Sequence, residues 1–201
     1  MKAVYYHADS HFPWGGHPGN VYAELAAQFK AQCHEYGMQV VHLTCDGFPG
    51  WGDENHSYPL DPKNIVANRE EAFCSFLESA PEDWYWFTEP DCVILRAIPS
   101  PAGDAVFLYR KNDGVPMNPG WRMATPKALP VFKALRDALR LDPRKDWHGD
   151  SGAFNATYKV MGEPKDRVKF LGVDIRFWDF ADFVKPGKYT MNQMGPRKLK
   201  R

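Results

Sequence analysis

The chain has 201 residues, which on a scale of ~150 residues per domain is roughly one domain. Hydrophobic residues make up 44% and charged residues 25%, values that exclude a disordered, collagen-like or coiled-coil chain. The 25 basic and 25 acidic side chains cancel, yet 183–201 carries six bases and no acid, leaving 1–182 with a net charge of −6.

No apolar run reaches the ~20 residues of a membrane-spanning helix, and Ala3–Tyr6 is broken by His7 and Asp9, which argues against a signal peptide. Cys33, Cys45, Cys74 and Cys92 form no CxxC pair and sit within hydrophobic patterns, so buried, reduced thiols and a cytoplasmic protein are expected.

In chain order, Lys2–His7 predicts a strand, and the Gly-, Pro- and His-rich stretch Asp9–Gly19 a loop. Asn20 is placed to cap a helix to about Tyr36, with Val21, Leu25, Phe29 and Cys33 on one face and Gly37 ending it. Gln39–Cys45 predicts a strand parallel to the first, as in a right-handed βαβ unit. Asp46–Pro59, carrying Trp51 and His56, reads as a long loop of the kind that is usually functional. A helix from about Pro62 to Ser79 is expected to bury Ile65, Phe73, Phe76 and Leu77. Trp84–Thr88 predicts a buried strand broken by a turn at Glu89-Pro90-Asp91, with Cys92–Leu95 resuming as strand.

Beyond this, Ala105–Arg110 and Trp121–Ala124 predict strands, the second reached through Pro116–Gly120. Pro126–Leu141 is an amphipathic helix with Leu129, Phe132, Leu135 and Leu139 inward. Asp150–Met161 predicts another helix, and Val168–Phe170 and Ile175–Phe180 two last strands. The fold class expected is α/β, a mixed, mainly parallel sheet flanked by helices.

Ligands of open α/β sheets bind beyond the carboxyl ends of the parallel strands. Those ends hold His7, Asp46 and the pair Glu89 and Asp91. Side chains in extended chain repeat with period two, so Glu89 and Asp91 are expected to face one hard cation, Mn²⁺ or Mg²⁺, which favours carboxylate and phosphate oxygens. His7, His11 and His17 match no tight zinc spacing.

The run Asp83-Trp-Tyr-Trp-Phe-Thr-Glu-Pro-Asp-Cys-Val-Ile-Leu95 resembles the strand and DxD motif of GT-A-fold glycosyltransferases, with Glu in place of the first Asp and Pro between. Arg69 matches the position of a basic residue near the donor in such enzymes. Asn118-Pro-Gly120 with Trp121–Thr125 resembles their acceptor-side turn and strand. His148-Gly-Asp-Ser-Gly-Ala-Phe-Asn155 resembles their acidic helix start, and Val184-Lys-Pro-Gly-Lys188 their diphosphate-closing segment, without its usual His. The resemblance spans nearly the whole chain as a single domain: 1–95 a nucleotide-binding half, 96–182 an acceptor-side half, 183–201 a basic C-terminal segment. It implies a GT-A-like fold and transfer of a hexosyl or pentosyl group from a nucleotide-diphosphate sugar to an acceptor, assisted by a divalent cation.

The roles follow the chemistry. Sugar transfer builds negative charge on the leaving phosphate, which a cation and Lys or Arg neutralise. Glu89 and Asp91 are expected to hold the metal, Lys185 and Lys188 to reach the phosphates, and Asp150 to deprotonate the acceptor or bind a sugar hydroxyl. Tyr6, His7 and Asp46 are expected beside the nucleotide base and ribose. The alternatives are a nucleic-acid-binding or DNA-base-modifying protein, prompted by the basic end and the aromatic content, and a nucleotidyltransferase or phosphoesterase. No GxxxxGK[ST] and no GxGxxG opening a helix is present.

Overall fold

A computed structural model describes residues 1–7, 21–60, 65–109, 117–141, 147–161, 167–178 and 184–186. The side chains of Val21, Ile65, Tyr109, 147–151 and 184–186 lie outside this description. Four parallel strands make one half of the main sheet: β1 (Lys2–Tyr6), β2 (Gln39–Cys45), β3 (Glu54–Tyr58) and β4 (Tyr85–Phe87). The other half consists of β6 (Ala105–Tyr109), β7 (Met117–Ala124), β8 (Arg167–Phe170) and β9 (Val173–Trp178). The eight strands run in the order β3-β2-β1-β4-β7-β6-β9-β8. Short strands β5 (Cys92–Ile94) and β10 (Val184–Pro186) pair antiparallel in a second sheet, with Lys185 opposite Val93.

The helices divide between the two faces. Helix α1 (Val21–Glu35) packs Ala26, Phe29 and Cys33 against Tyr5, Val40 and Trp86 on one face. It ends as its glycine predicts: Gly37 has φ +68°, its N–H donates to the His34 carbonyl, and the Met38 N–H donates to that of Cys33, a Schellman cap. Helices α2 (Ile65–Ser79), α3 (Leu129–Leu141) and α4 (Trp147–Met161) cover the other face, where Phe73, Phe76, Phe132 and Phe154 join Tyr85, Phe87 and Phe107 in the larger core.

Three expectations need correction. The stretch Asp46–Pro59 is not all loop, because Glu54–Tyr58 adds a parallel edge strand to β2. Its sequence, Glu-Asn-His-Ser-Tyr, has no apolar alternation, since an edge strand here buries little side chain. Cys92–Leu95 does not resume the strand of Trp84–Thr88, because the turn sends it into the second sheet. Strand β7 begins at Met117, before the expected Trp121, and passes through Pro119 beside a register shift in β6, where a missing N–H is tolerated.

All four cysteines are free thiols. Among the described residues no helix is long and apolar enough to cross a membrane.

Candidate active site

Strand β1 has β2 on one side and β4 on the other, the reversal of strand order beyond whose carboxyl ends open α/β sheets bind their ligands. His7 follows β1 on one side of this switch point, and Glu89-Pro90-Asp91 follows β4 on the other. The acidic turn is tied at its base: the Cys92 N–H donates to the Glu89 carbonyl at 3.2 Å and the Thr88 hydroxyl to Cys92 Sγ at 3.1 Å.

Glu89 is shaped from two sides. Arg69 Nη1 donates to its Oε1 at 3.2 Å. From β7, Gly120 approaches so closely that a Cβ there would stand 3.1–3.3 Å from the carboxylate atoms, which explains a glycine at that point of a strand. The Gly120 N–H is itself held by Asn118 Oδ1 at 2.8 Å. Asp91 is half-buried, and burial pushes its carboxyl up to about 6 against the pull of its own backbone N–H.

Behind Glu89 lies a buried chain of charges that the residue pattern does not announce. Arg69 Nε donates to Glu70 Oε1 at 3.0 Å, and Arg122 Nη2 donates to both oxygens of Glu70 at 2.7 and 2.8 Å. Glu70 and Arg122 are fully buried and Arg69 nearly so. The Arg122 guanidinium also lies 4.7–5.0 Å from the ring centres of Phe73, Phe132 and Phe154, a cation–π cage. Arg69, expected beside the donor, reaches the acidic turn through its contact with Glu89.

The β1 side is a run of stacked rings. His7 lies 4.0 Å from Tyr22 and 5.5 Å from Trp51, and Trp51 lies 5.4 Å from His42. His42 Nε2–H donates to the His7 carbonyl at 2.9 Å and Nδ1 accepts the Trp51 N–H at 3.0 Å, a pattern assigned to the neutral ring. His7 Nε2 is buried and has no hydrogen-bond partner among the described residues. Tyr6 faces the other way, buried with its hydroxyl toward Asn68 and Cys45. Asp46 is exposed at the end of β2 and accepts from Ser57 Oγ at 2.7 Å.

Burial lowers His42 to about 4, its bond to the His7 carbonyl opposing, and burial with the neighbouring His42 lowers His7 to about 3. Between these values and the unperturbed ~6.5 the unfolded chain binds protons that the folded chain refuses, so stability falls as pH drops through that window. Asp91 has the opposite sign, since the folded carboxyl takes its proton first, but it is one group against two. The thermal midpoint is expected to fall from pH 7 to pH 4.5, and less steeply in His42→Gln. Equal slopes in the two proteins would show that His42 is not held neutral.

Of the other expected site residues, Lys185 lies on β10 opposite Val93, one residue before which β5 begins at Cys92, directly after Asp91. Asp150 lies in the first turn of α4, which starts at Trp147 and not at Asp150. The side chains of both are outside the described residues, as are Lys188, His11, His17 and 197–201 entirely. Glu70, Arg122, His42 and Tyr22 are site elements that the sequence reading missed. Arg122 does leave a trace, as a lone charge in the strand Trp121–Ala124.

Among the described residues no group of three or more His, Cys, Asp or Glu is arranged to hold a metal ion. Glu89 and Asp91 supply carboxylate oxygens, the ligand type that a hard cation takes together with phosphate and water. Asp91 in particular is a partly desolvated carboxylate with no basic partner among the described residues.

No family model and no curated protein matches the sequence. Solved structures do match in shape. A glycosyltransferase involved in the glycosylation of the major capsid of PBCV-1 superposes with a TM-score of 0.57 at 10% identity, covering 99% of this chain and 100% of that one. The glycosyltransferase GlyE of Streptococcus pneumoniae TIGR4 superposes with a TM-score of 0.53 at 13% identity, over 89% of this chain and 45% of its own. The chain thus spans under half the length of GlyE. With its switch point, its half-parallel sheet and the turn after β4, the chain has a GT-A-like α/β fold.

Proposed function

We propose that the protein is a glycosyltransferase that moves a hexosyl or pentosyl group from a nucleotide-diphosphate sugar to an acceptor. The observation that carries this reading is the Glu89-Pro90-Asp91 turn at the switch point of a GT-A-like sheet, opposite the ring stack of His7. The solved glycosyltransferases of the same shape support it.

In this reading Asp91, with Glu89, holds a Mn²⁺ or Mg²⁺ ion at the donor diphosphate. When bound, the cation neutralises charge on the leaving phosphate as the glycosidic C–O bond breaks. Lys185 and Lys188 add positive charge to the same phosphates. His7, with Asp46 and the rings of Tyr22 and Trp51, takes the nucleoside; the His7 Nε2, without a hydrogen-bond partner among the described residues, offers it a hydrogen bond. Asp150 accepts the acceptor's proton or binds a sugar hydroxyl.

The test is a thermal-shift screen against nucleotide sugars and their nucleoside diphosphates, with and without Mn²⁺. A ligand at 100 times its Kd adds about 2.7 kcal/mol, which for a chain of this size is a rise of about 5–10 °C. A Mn²⁺-dependent rise with one nucleotide identifies the donor. A flat response across the panel refutes the reading.

A further inference from the structure

Glu89 is half of the acidic pair, yet its Oε1 already carries a guanidinium proton from Arg69 at 3.2 Å. Arg69 is not a loose surface cation. Its Nε is fixed on Glu70 at 3.0 Å, and Glu70 is fixed in turn by both contacts from Arg122. Glu70 stands between two guanidinium groups, and Arg69 carries one of them on to the acidic turn. Resting on the donor-site reading above, we propose that Arg69, braced by the buried Glu70–Arg122 pair, is a resident cation that competes with the divalent metal for Glu89. Glu89 passes to the metal only when the donor phosphates arrive.

The physical ground is the position of each charge. A fixed positive charge in hydrogen-bond contact with one carboxylate, beside a second one residue away, repels an incoming cation. It attracts a diphosphate. Asp91, which has no basic partner among the described residues, is the ligand available to metal alone. The bracing matters because an arginine free to swing away would offer little opposition. Here the swing would break the Arg69 contact to buried Glu70, where a charge taken out of water needs its partner. Metal and nucleotide are thereby coupled: each makes the other's binding more favourable, by the same factor in both directions.

The experiment titrates Mn²⁺ alone into the full chain and follows free Mn²⁺ by electron paramagnetic resonance, with thermal unfolding as a check on the fold. Arg69→Met is expected to raise Mn²⁺ affinity about tenfold, and Arg122→Met to raise it by a smaller factor, since Glu70 then faces Arg69 alone. Arg69→Lys, which keeps the charge, is expected to stay near wild type. Damage to the fold lowers binding, so a gain separates the charge from a merely structural role. Glu89→Gln, at a half-exposed position, leaves the Arg69 charge uncompensated and is expected to lower affinity for Mn²⁺ alone by about tenfold, while Asp91→Asn removes binding.

Unchanged or weaker binding in an Arg69→Met protein that still unfolds cooperatively overturns the proposal. So does a Glu89→Gln loss as large as that of Asp91→Asn, and so does the absence of Mn²⁺ binding in all of these proteins. Should Arg69→Met fail to fold, the Glu89→Gln and Asp91→Asn comparison decides by itself. The glycosyltransferase reading fails in a different place, in the nucleotide-sugar panel, whatever these titrations give.

Discussion

Asp91→Asn is expected to abolish the Mn²⁺-dependent part of nucleotide binding and to lower kcat/KM by about 10²–10³-fold, the usual cost of removing one group that stabilises transition-state charge. The substitution keeps the size of the side chain and removes its charge. Asp91 sits in a turn fixed by the Cys92 N–H and the Thr88 hydroxyl, so the amide has no large rearrangement open to it. The fold is expected to survive and even to gain slightly, because a carboxyl that burial pushes up to about 6 is costly to ionise at pH 7. Loss of activity with an unchanged or raised unfolding midpoint is therefore the signature. Retained Mn²⁺-dependent stabilisation by the donor nucleotide would remove Asp91 from the metal site.

The second large effect is on stability. Glu70→Ala is expected to lower the unfolding free energy by about 3–5 kcal/mol, as does removal of one partner from a buried ion pair. Glu70 is fully buried and accepts from two guanidinium groups, one of which is enclosed by Phe73, Phe132 and Phe154. Without the carboxylate, Arg122 holds a charge in an aromatic interior with its main counter-charge gone. The double variant Glu70→Leu/Arg122→Met removes both halves of the pair and is expected to cost clearly less than the two single losses added together. Urea unfolding of the three proteins measures this coupling. Additive losses would mean that the charges of Glu70 and Arg122 are not energetically linked.

The glycine at 120 links the two effects. Its missing side chain lets the Glu89 carboxylate lie against β7 within reach of Arg69. The acidic turn and the buried charges are in this way one structure, open to solvent at Asp91 and closed at Arg122.

Much of the frame is determined by the sequence alone. Period-two and four-residue apolar spacings locate β1, β2, β4 and helices α1 to α3, because such patterns reflect which face is buried whatever the neighbours are. Gly37 ends α1 for a purely local reason, the left-handed backbone it must adopt. The Glu-Pro-Asp turn is equally local: proline breaks the ladder after a short apolar strand, which puts two carboxylates at a strand end.

The tertiary structure decided what local pattern cannot encode. Strand β3 exists because β2 offers it an edge, and its polar residues carry no signal of their own. The consecutive charges Arg69, Glu70 and Glu71 carry no mark in the sequence of the separate places they take. In the fold Arg69 turns to the site, Glu70 turns into the core, and Glu71 meets Arg136 and Arg140 of α3. Successive helix positions are about 100° apart, so three neighbours in sequence face three different surroundings. Which of those surroundings is water, core or active site is set by residues 20 to 70 positions away, and only the packed chain brings them together.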